Sequence, residues 1–156
     1  MNAIDFPGLF FLDTNLFVYS FDATNPDKQQ LARAIIGEAL HTRRGVVSTQ
    51  VVQEFVSVAL GKFKHPMSVA DARDYVRTVM APLCQHSPTI AFYDQTLLLR
   101  EQTGLSWYDA LIVAAAVELK CTLLLSEDMQ DGRRLHGITI RNPFAAPTAT
   151  MSRARQ

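Results

Sequence analysis

The chain has 156 residues, 48% of them hydrophobic, and its 15 lysine and arginine residues balance its 15 aspartate and glutamate residues. This length predicts one domain, and this hydrophobic content excludes a disordered chain. The zero net charge gives no overall attraction to nucleic acid, so any basic surface has to be local. Proteins close to neutrality also tend to self-associate.

Signals for secretion or membrane insertion are weak throughout the sequence. No apolar run approaches the length that spans a bilayer, and the apolar patch at residues 9–12 is too short for the core of a signal peptide. Cys84 and Cys121 are far apart and show no metal-binding pattern. Cys121 opens an apolar run and is expected to be a small buried residue. These features indicate a soluble cytoplasmic protein.

The first predicted element is a short buried strand at residues 9–12, which ends directly at Asp13. Further strands are predicted at residues 46–47, 88–91, 121–125 and 136–141, and helices at residues 15–19, 26–41, 49–61, 68–80, 94–103 and 106–117. Short continuous apolar strands separated by helices indicate a parallel sheet covered on both faces. We therefore predict an α/β fold, a three-layer α/β/α sandwich around a central, mainly parallel sheet of four to five strands.

Capping and helix-breaking residues stand at the ends of several predicted helices. Gly45 is predicted to cap the second helix at its carboxyl end, Ser48 to cap the third at its amino end, and Pro82 to end the fourth. No internal repeat or domain linker interrupts the pattern. We predict one domain over residues 1–144 and a poorly ordered tail over residues 145–156.

Four acidic residues are expected at one edge of this sheet. Asp13 follows the first strand, Glu54 lies on the helix after the second, and Asp109 lies at the start of the most apolar helix. Asp128 belongs to the polar segment that follows the leucine-rich strand. Right-handed crossovers bring the carboxyl ends of parallel strands to the same edge, where α/β proteins bind ligands.

Each of these acids also has an ordinary structural explanation. Asp13 can cap the helix that follows it, and Ser106 with Asp109 forms a capping box. Glu54 alone is typical of a solvated helix face, and Asp128 alone is typical of a turn. Asp22 is interpreted as a turn residue in the same way.

The acids taken together are harder to explain without a ligand. At about 5 Å and an effective dielectric constant of about 20, each pair of carboxylates repels by roughly 3 kcal/mol. A bound cation removes this repulsion, and a site made only of carboxylates suits a hard cation such as Mg²⁺ or Mn²⁺. A divalent ion of this kind suits phosphodiester chemistry, in which it activates water and stabilises the leaving oxygen.

Four segments of the sequence resemble the acidic motifs of PIN-domain nucleases. They are residues 11–15 (FLDTN), 50–55 (QVVQEF), 107–116 (WYDALIVAAA) and 124–128 (LLSED). The resemblance extends from about residue 9 to residue 142, and the small size is similar to the VapC-type toxins of bacterial toxin–antitoxin pairs. It implies an endoribonuclease that depends on Mg²⁺ or Mn²⁺.

The resemblance also implies roles for individual residues. Asp13, Glu54, Asp109 and Asp128 are expected to be the catalytic, metal-binding acids. Asp13 and Asp109 would be the principal direct ligands. Glu54 and Asp128 would act through water or help to activate the attacking hydroxide.

Supporting roles are expected for polar neighbours of these acids. Thr14 and Ser126 are candidates to orient a ligand or a water molecule through their hydroxyl groups, and Asn15 to fix the corner after the first strand. Asp131 is the alternative to Asp128 as the fourth acid. The residues that bind substrate stay unassigned.

Two aromatic residues adjoin the third motif. Trp107 and Tyr108 are candidates to stack an RNA base near Asp109, because unpaired bases are often held on aromatic side chains. Packing in the core or at an interface is the more frequent role of such residues.

The resemblance implies an RNA substrate, a small antitoxin partner, a homodimer and no association with membranes. Hydrolysis would leave a 5′-phosphate and a 3′-hydroxyl. Two alternatives stay open, namely a non-catalytic PIN-fold module and a DNA-cleaving nuclease of the same chemistry. An aspartyl phosphatase fits worse, because it needs a second acid two residues after the first, where this chain has Asn15.

Overall fold

The computed structural model describes residues 6–145. Its strands are β1 (Phe10–Leu12), β2 (Gly45–Ser48), β3 (Cys84–His86), β4 (Leu123–Leu125), β5 (Arg134–Leu135) and β6 (Ile138–Arg141). Its helices are α1 (Thr14–Tyr19), α2 (Pro26–Thr42), α3 (Thr49–Gly61), α4 (Val69–Tyr75), α5 (Ala81–Leu83), α6 (Ile90–Thr103) and α7 (Trp107–Glu118). The tail expected at residues 145–156 lies, except for its first residue, outside the described residues.

The six strands form one sheet in the order β3-β2-β1-β4-β6-β5. Every pair of neighbours is parallel except β5 and β6. The predicted sandwich with a mainly parallel sheet is thereby confirmed, with one short strand more than expected. The chain builds outward from β1 through β2 to β3 and then returns to the other side of β1 with β4. Such a reversal of strand order opens a crevice at the carboxyl ends of the strands.

The core forms where the apolar strands meet the helices. All three residues of β1 and Leu124 and Leu125 of β4 are completely buried. Helix α7 was expected to be buried almost all round, and its residues from Ala110 to Ala116 are all buried. Burial of each large apolar side chain contributes about 1.5–3 kcal/mol, so these elements hold the sheet edge in a fixed position.

The strand predicted at residues 88–91 is wrong. The third strand is Cys84–His86, and helix α6 begins at Ile90, four residues before the predicted start. Thr89 caps this helix, because its hydroxyl accepts a hydrogen bond from the Phe92 amide at 3.1 Å. The β-branched pair at 89–90 is typical of a strand in isolation, but the cap hydrogen bond favours the helix.

Gly45 is not the cap of α2, as the sequence suggested, but the first residue of β2. Arg43 caps the helix instead, in a left-handed conformation with φ of 58°. A Cβ atom on Gly45 would lie 2.2 Å from the Cβ atom of Ala39, so the glycine is required for the close approach of α2 to the sheet. Ser48 precedes α3 as expected but makes no cap hydrogen bond with its side chain.

The helix predicted at residues 68–80 continues to Leu83, past Pro82. A π-helical turn at Val76–Met80 joins α4 to α5, and the Ala81 amide donates to the carbonyl of Val76. Pro82 lies in the first turn of α5, directly after this π-helical turn.

The strand predicted at residues 136–141 begins two residues later, at Ile138. His136 and Gly137 have φ of 49° and 84°, and they form the tight turn between β5 and β6. Within residues 6–145, no helix is long and apolar enough to cross a membrane.

Candidate active site

Asp13 lies where β1 meets α1, next to the reversal of strand order. Its backbone amide donates to the carbonyl of Leu125 at 3.0 Å, which ties it to the end of β4. One carboxylate oxygen accepts from the Thr14 amide and the other from the Ser126 hydroxyl, each at 2.7 Å. Asp13 is therefore the predicted cap of α1 and also faces a residue from the neighbouring strand.

The Asp13 carboxylate is held in an unfavourable electrostatic environment. Burial raises its pKa to about 6, against the lowering effect of the hydrogen bonds from Ser126 and Thr14. The negative charges of Glu54 and Asp128 contribute to the same rise. The two charges that act on Asp13 are both negative, like its own. The predicted repulsion between the acids is therefore present.

Glu54 is held by two hydrogen bonds and is not a freely solvated side chain. One carboxylate oxygen accepts from the Thr14 hydroxyl at 2.7 Å and the other from the Gln50 side-chain amide at 2.9 Å. Thr14 therefore contacts Asp13 through its backbone and Glu54 through its side chain. This bridge connects the first two acids of the predicted set.

Asp109 lies in the first turn of α7, and its amide donates to the Ser106 hydroxyl at 3.3 Å. The predicted cap is therefore present. Burial raises the pKa of Asp109, a hydrogen bond with Ser106 lowers it, and the charges of Asp128 and Glu54 raise it. The carboxylate of Asp109 is thus repelled by the negative charges of two of the other three acids.

Asp128 joins the set through two contacts near the end of β4. The Ser126 hydroxyl donates to Asp13 and accepts from the Asp128 amide at 3.2 Å. The Asn15 side-chain amide donates to the Asp128 carboxylate at 3.2 Å. Asn15 and Ser126 were both predicted as supporting residues. Asn15 contacts Asp128, and Ser126 contacts both Asp13 and Asp128.

The other two acids after β4 are directed elsewhere. The Tyr19 hydroxyl donates to Glu127 at 2.6 Å, and the Lys28 ammonium donates to its second oxygen at 3.0 Å. Asp131 accepts a hydrogen bond from the Asn142 amide at 2.9 Å. Of the three candidates, Asp128 alone contributes to the pKa shifts of Asp13 and Asp109.

The donor chemistry of this site fits a hard divalent cation. Its four acids offer only oxygen, and the buried side-chain oxygen of Asn15, beside Asp128, has no hydrogen-bond partner in the described part of the chain. Between residues 6 and 145, no three Asp, Glu, His or Cys side chains converge closely enough to form a complete metal site. The four acids therefore form an open constellation coupled by charge.

Gln50 is the residue of this site that sequence reasoning missed. Its side-chain amide donates to Glu54 and to the backbone carbonyl of Tyr108 at 3.2 Å, so it joins α3 to the start of α7. Its position four residues before Glu54 on one helix face was the signal that could have identified it.

The fold is shared with solved structures of bacterial proteins. A toxin–antitoxin complex from Klebsiella pneumoniae aligns with a TM-score of 0.62 and 17% identity, covering 87% of this chain and 98% of that chain. FitAcB from Neisseria gonorrhoeae gives 0.59 and 16% over 88% and 100%. VapBC2 from Rickettsia felis, bound to a DNA fragment from its promoter, gives 0.57 and 16% over 86% and 98%. At these identities the similarity shows the fold.

Comparison with curated proteins gave no significant match. The family model of the PIN domain matches residues 10–131, a span that includes all four acids of the constellation. The mainly parallel sheet and this match over most of the sequence agree. The chain belongs to the PIN-domain family.

Proposed function

We propose that this protein is an endoribonuclease that hydrolyses RNA phosphodiester bonds with Mg²⁺ or Mn²⁺ held by Asp13, Glu54, Asp109 and Asp128. PIN domains are generally nucleases. The observation that supports the proposal most directly is the buried Asp13, whose pKa is raised to about 6 and whose charged neighbours are two further acids. A carboxylate in this environment is stabilised in its charged form when a cation binds.

The residues around the acids would hold them in place for metal binding. Each oxygen of Asp13 accepts one hydrogen bond, and each oxygen of Glu54 does the same. A carboxylate oxygen has two lone pairs, so every one of these oxygens can still face a cation or a water molecule. When bound, the divalent ion supplies an activated water and stabilises the charge that develops on the phosphate.

Burial distinguishes Asp13 from the exposed Asp128, whereas Asp109 and Glu54 are both half-buried. Asp13 is almost completely buried, and Asp109 is raised in pKa chiefly by burial. We assign these two as the principal direct ligands. Glu54 and Asp128 then act through water or accept the proton of the attacking water, and the products carry a 5′-phosphate and a 3′-hydroxyl.

RNA is favoured over duplex DNA as the substrate. A DNA-cleaving relative of this chemistry would use an arch or a clamp to hold a duplex. In residues 6–145 the longest connection between two elements is residues 126–133, which is too short for either. Flexible single strands can enter a compact site of this kind without such an insertion.

We also propose that the protein is the toxin of a toxin–antitoxin pair, a homodimer that binds a small antitoxin in the cytoplasm. A shallow apolar groove of about 350 Å³ between α3 and α4 supports the antitoxin partner. Its walls include the exposed side chains of Leu60 and Val69, and Arg73 and Arg77 also line it. An apolar helix with acidic flanks would complement this groove.

The antitoxin proposal is tested with the protein encoded by the adjoining reading frame. Leu60→Asp places a charge in the groove and is expected to weaken the complex at least tenfold in calorimetry. Unchanged affinity would exclude this groove as the binding site. Light scattering on the purified toxin measures the homodimer directly, and a monomer at all concentrations would exclude it.

The nuclease proposal is tested by cleavage of a panel of structured RNAs with Mg²⁺, with Mn²⁺ and with a chelator. We expect Asp13→Asn to lower the cleavage rate by about 10²–10⁴-fold and the chelator to abolish cleavage. The matched control is Asp94→Asn, which changes an exposed acid on α6 away from the site. Equal cleavage by the wild type and Asp13→Asn, or cleavage in the chelator, would contradict the proposal.

The non-catalytic module is distinguished by metal binding. A calorimetric titration with Mn²⁺ is expected to show binding to the wild type and to Asp94→Asn, and much weaker binding to Asp13→Asn. Absence of binding to the wild type at millimolar Mn²⁺ would favour an inert fold.

A further inference from the structure

A second concave surface adjoins the four acids. It is a pocket of about 450 Å³ at the carboxyl ends of β2 and β3, closed on its sides by the first turns of α3, α6 and α7. Tyr108 forms part of its wall and directly precedes Asp109. Gln50 also lines it and donates to Tyr108 and to the carboxylate of Glu54. The pocket and the acidic constellation therefore share a wall.

The floor of the pocket contains an unpaired hydroxyl group. Ser48 is 3% exposed, lines the pocket, and its hydroxyl oxygen has no hydrogen-bond partner in the described residues. The register between β2 and β3 is irregular at Val47 and Ser48. Such irregularities re-aim a side chain and occur often beside active sites. A buried hydroxyl without a partner is costly, so this one points to a ligand that would pair with it.

Four of the twelve residues that line the pocket are aromatic. Phe92, Tyr93, Trp107 and Tyr108 line it, and the rings of Tyr93 and Trp107 lie 6.2 Å apart. Tyr108 is 66% exposed, so it is not a core residue. Exposed aromatic faces of this kind stack flat rings.

The lining contains one histidine, His86. His86 lies opposite Ser48, packs on the ring of Phe92 at 4.5 Å, and contacts Glu118 at 2.9 Å. The lining includes no lysine, arginine, aspartate or glutamate. The lining offers no lysine or arginine to a phosphate group, so the expected occupant is flat and neutral and has a polar edge.

We propose that this pocket binds the base of one unpaired nucleotide next to the scissile bond of the RNA. The inference rests on the proposed nuclease function, because it assigns a subsite of the same active site. The base stacks on Tyr108 and its aromatic neighbours, and its polar edge pairs with the Ser48 hydroxyl. The occupant is unpaired because a base inside a duplex cannot present its face and its edge together.

The test uses Asp13→Asn protein in a chelator, so that RNA binding is measured without cleavage. Short single-stranded RNAs carry one abasic position, which is moved along the sequence from one RNA to the next. At one position the abasic change is expected to weaken binding about tenfold, which is a typical effect of one lost base–aromatic stack. Tyr108→Ala is expected to weaken binding of the intact RNA by the same factor and to remove the effect of the abasic change.

Two further measurements separate stacking from a structural effect. With 2-aminopurine at the sensitive position, binding is expected to quench its fluorescence, and Tyr108→Ala is expected to restore the fluorescence. Ser48→Ala is expected to weaken binding of intact RNA severalfold and to leave abasic RNA unaffected. The control is Ile90→Ala, which shortens an exposed apolar side chain at the nearby start of α6 and leaves both RNAs unaffected.

The inference is overturned if no abasic position matters, or if Tyr108→Ala weakens intact and abasic RNA equally. It is also overturned if Tyr108→Ala changes only the oligomeric state, since the pocket would then be an interface. Failure of the proposed function appears separately, as wild-type protein that binds RNA in this base-dependent way but does not cleave it. If Tyr108→Ala cleaves RNA in a metal-dependent way at the wild-type rate, the proposed function is retained and this subsite is excluded.

Discussion

Two neighbouring acids after β4 belong to clusters that differ in the charge of their members. Glu127 faces a lysine, whereas Asp128 lies among other acids. Glu127 accepts hydrogen bonds from Tyr19 and Lys28, and these lower its pKa although burial acts to raise it. Asp128 belongs instead to the constellation around Asp13, where burial raises the Asp13 pKa to about 6 and the neighbouring charges are negative. The polypeptide neutralises the first cluster with its own lysine. On the proposed function, the second cluster is neutralised by a bound divalent cation.

The two clusters also predict opposite dependence of stability on pH. Glu127 has a lowered pKa in the folded protein, so its contribution is present above its unfolded pKa and is lost as the pH falls. Asp13 has a raised pKa, so the folded protein binds more protons than the unfolded chain between about pH 4 and pH 6. Ionisation of Asp13 therefore destabilises the metal-free protein as the pH rises through this range.

The largest expected effect is on activity, and it tests which acids form the second cluster. Asp128→Asn is expected to lower RNA cleavage by about 10²–10⁴-fold, because it removes one charge of the proposed metal-binding set. Asp131→Asn keeps an oxygen that can accept from the Asn142 amide, and cleavage is expected to stay within about twofold of the wild type. Rates on the same RNA at saturating Mn²⁺ provide the measurement. The reverse order would place Asp131 in the site.

The next effect is on stability in the absence of metal. Asp13→Asn is expected to raise the free energy of unfolding by about 3 kcal/mol above pH 6, since a pKa raised from 3.8 to about 6 corresponds to this cost of ionisation. The gain is expected to vanish below pH 4, where Asp13 is protonated in both states. Urea unfolding in a chelator at several pH values measures it.

Added metal is expected to make the wild type more stable to urea than Asp13→Asn, which is the reverse of the order without metal. Mn²⁺ is expected to stabilise the wild type, which binds it, and to have little effect on Asp13→Asn. Asp94→Asn serves as the control and should follow the wild type in every condition. A gain from Asp13→Asn that does not depend on pH would show that the charge of Asp13 is not responsible.

The smallest expected effect concerns the neutralised cluster. Glu127→Gln removes the charge that Lys28 faces, so a small loss of stability is expected near pH 7, shrinking as the pH falls below the range in which Glu127 ionises. Mn²⁺ affinity is expected to stay unchanged, because Glu127 faces Tyr19 and Lys28 and not the other acids. Urea unfolding and a Mn²⁺ titration provide the two measurements. A clear loss of Mn²⁺ affinity would show that the clusters are not separate.

The parts of the fold predicted from sequence are those with strong apolar patterns. Strands β1 and β4 and helix α7 are continuous apolar runs, so their identity follows from composition. Strand β3 is Cys84–His86, a short segment without an apolar run, and it exists because β2 offers it a parallel partner. A strand that depends on its neighbour in this way has no local signal.

The candidate site residues show the same distinction between local sequence signals and contacts made only in the fold. Asp13 and Asp109 stay predictions as site residues, but their positions at a strand end and a helix start follow from local patterns in the sequence. The choice between Asp128 and Asp131 depends on Asn15 and Asn142, which are close to them only in the folded chain. The separation of Glu127 from the other acids depends in the same way on Tyr19 and Lys28, over 90 residues earlier.

The strand order has a consequence for the time at which the site can form during synthesis. Strand β4 lies beside β1 at the centre of the sheet, yet it is made about 110 residues after β1. Before that point a nascent chain lacks the central neighbour of β1 and the residues Ser126 and Asp128. On the proposed function, the protein cannot cut RNA until translation has passed Asp128.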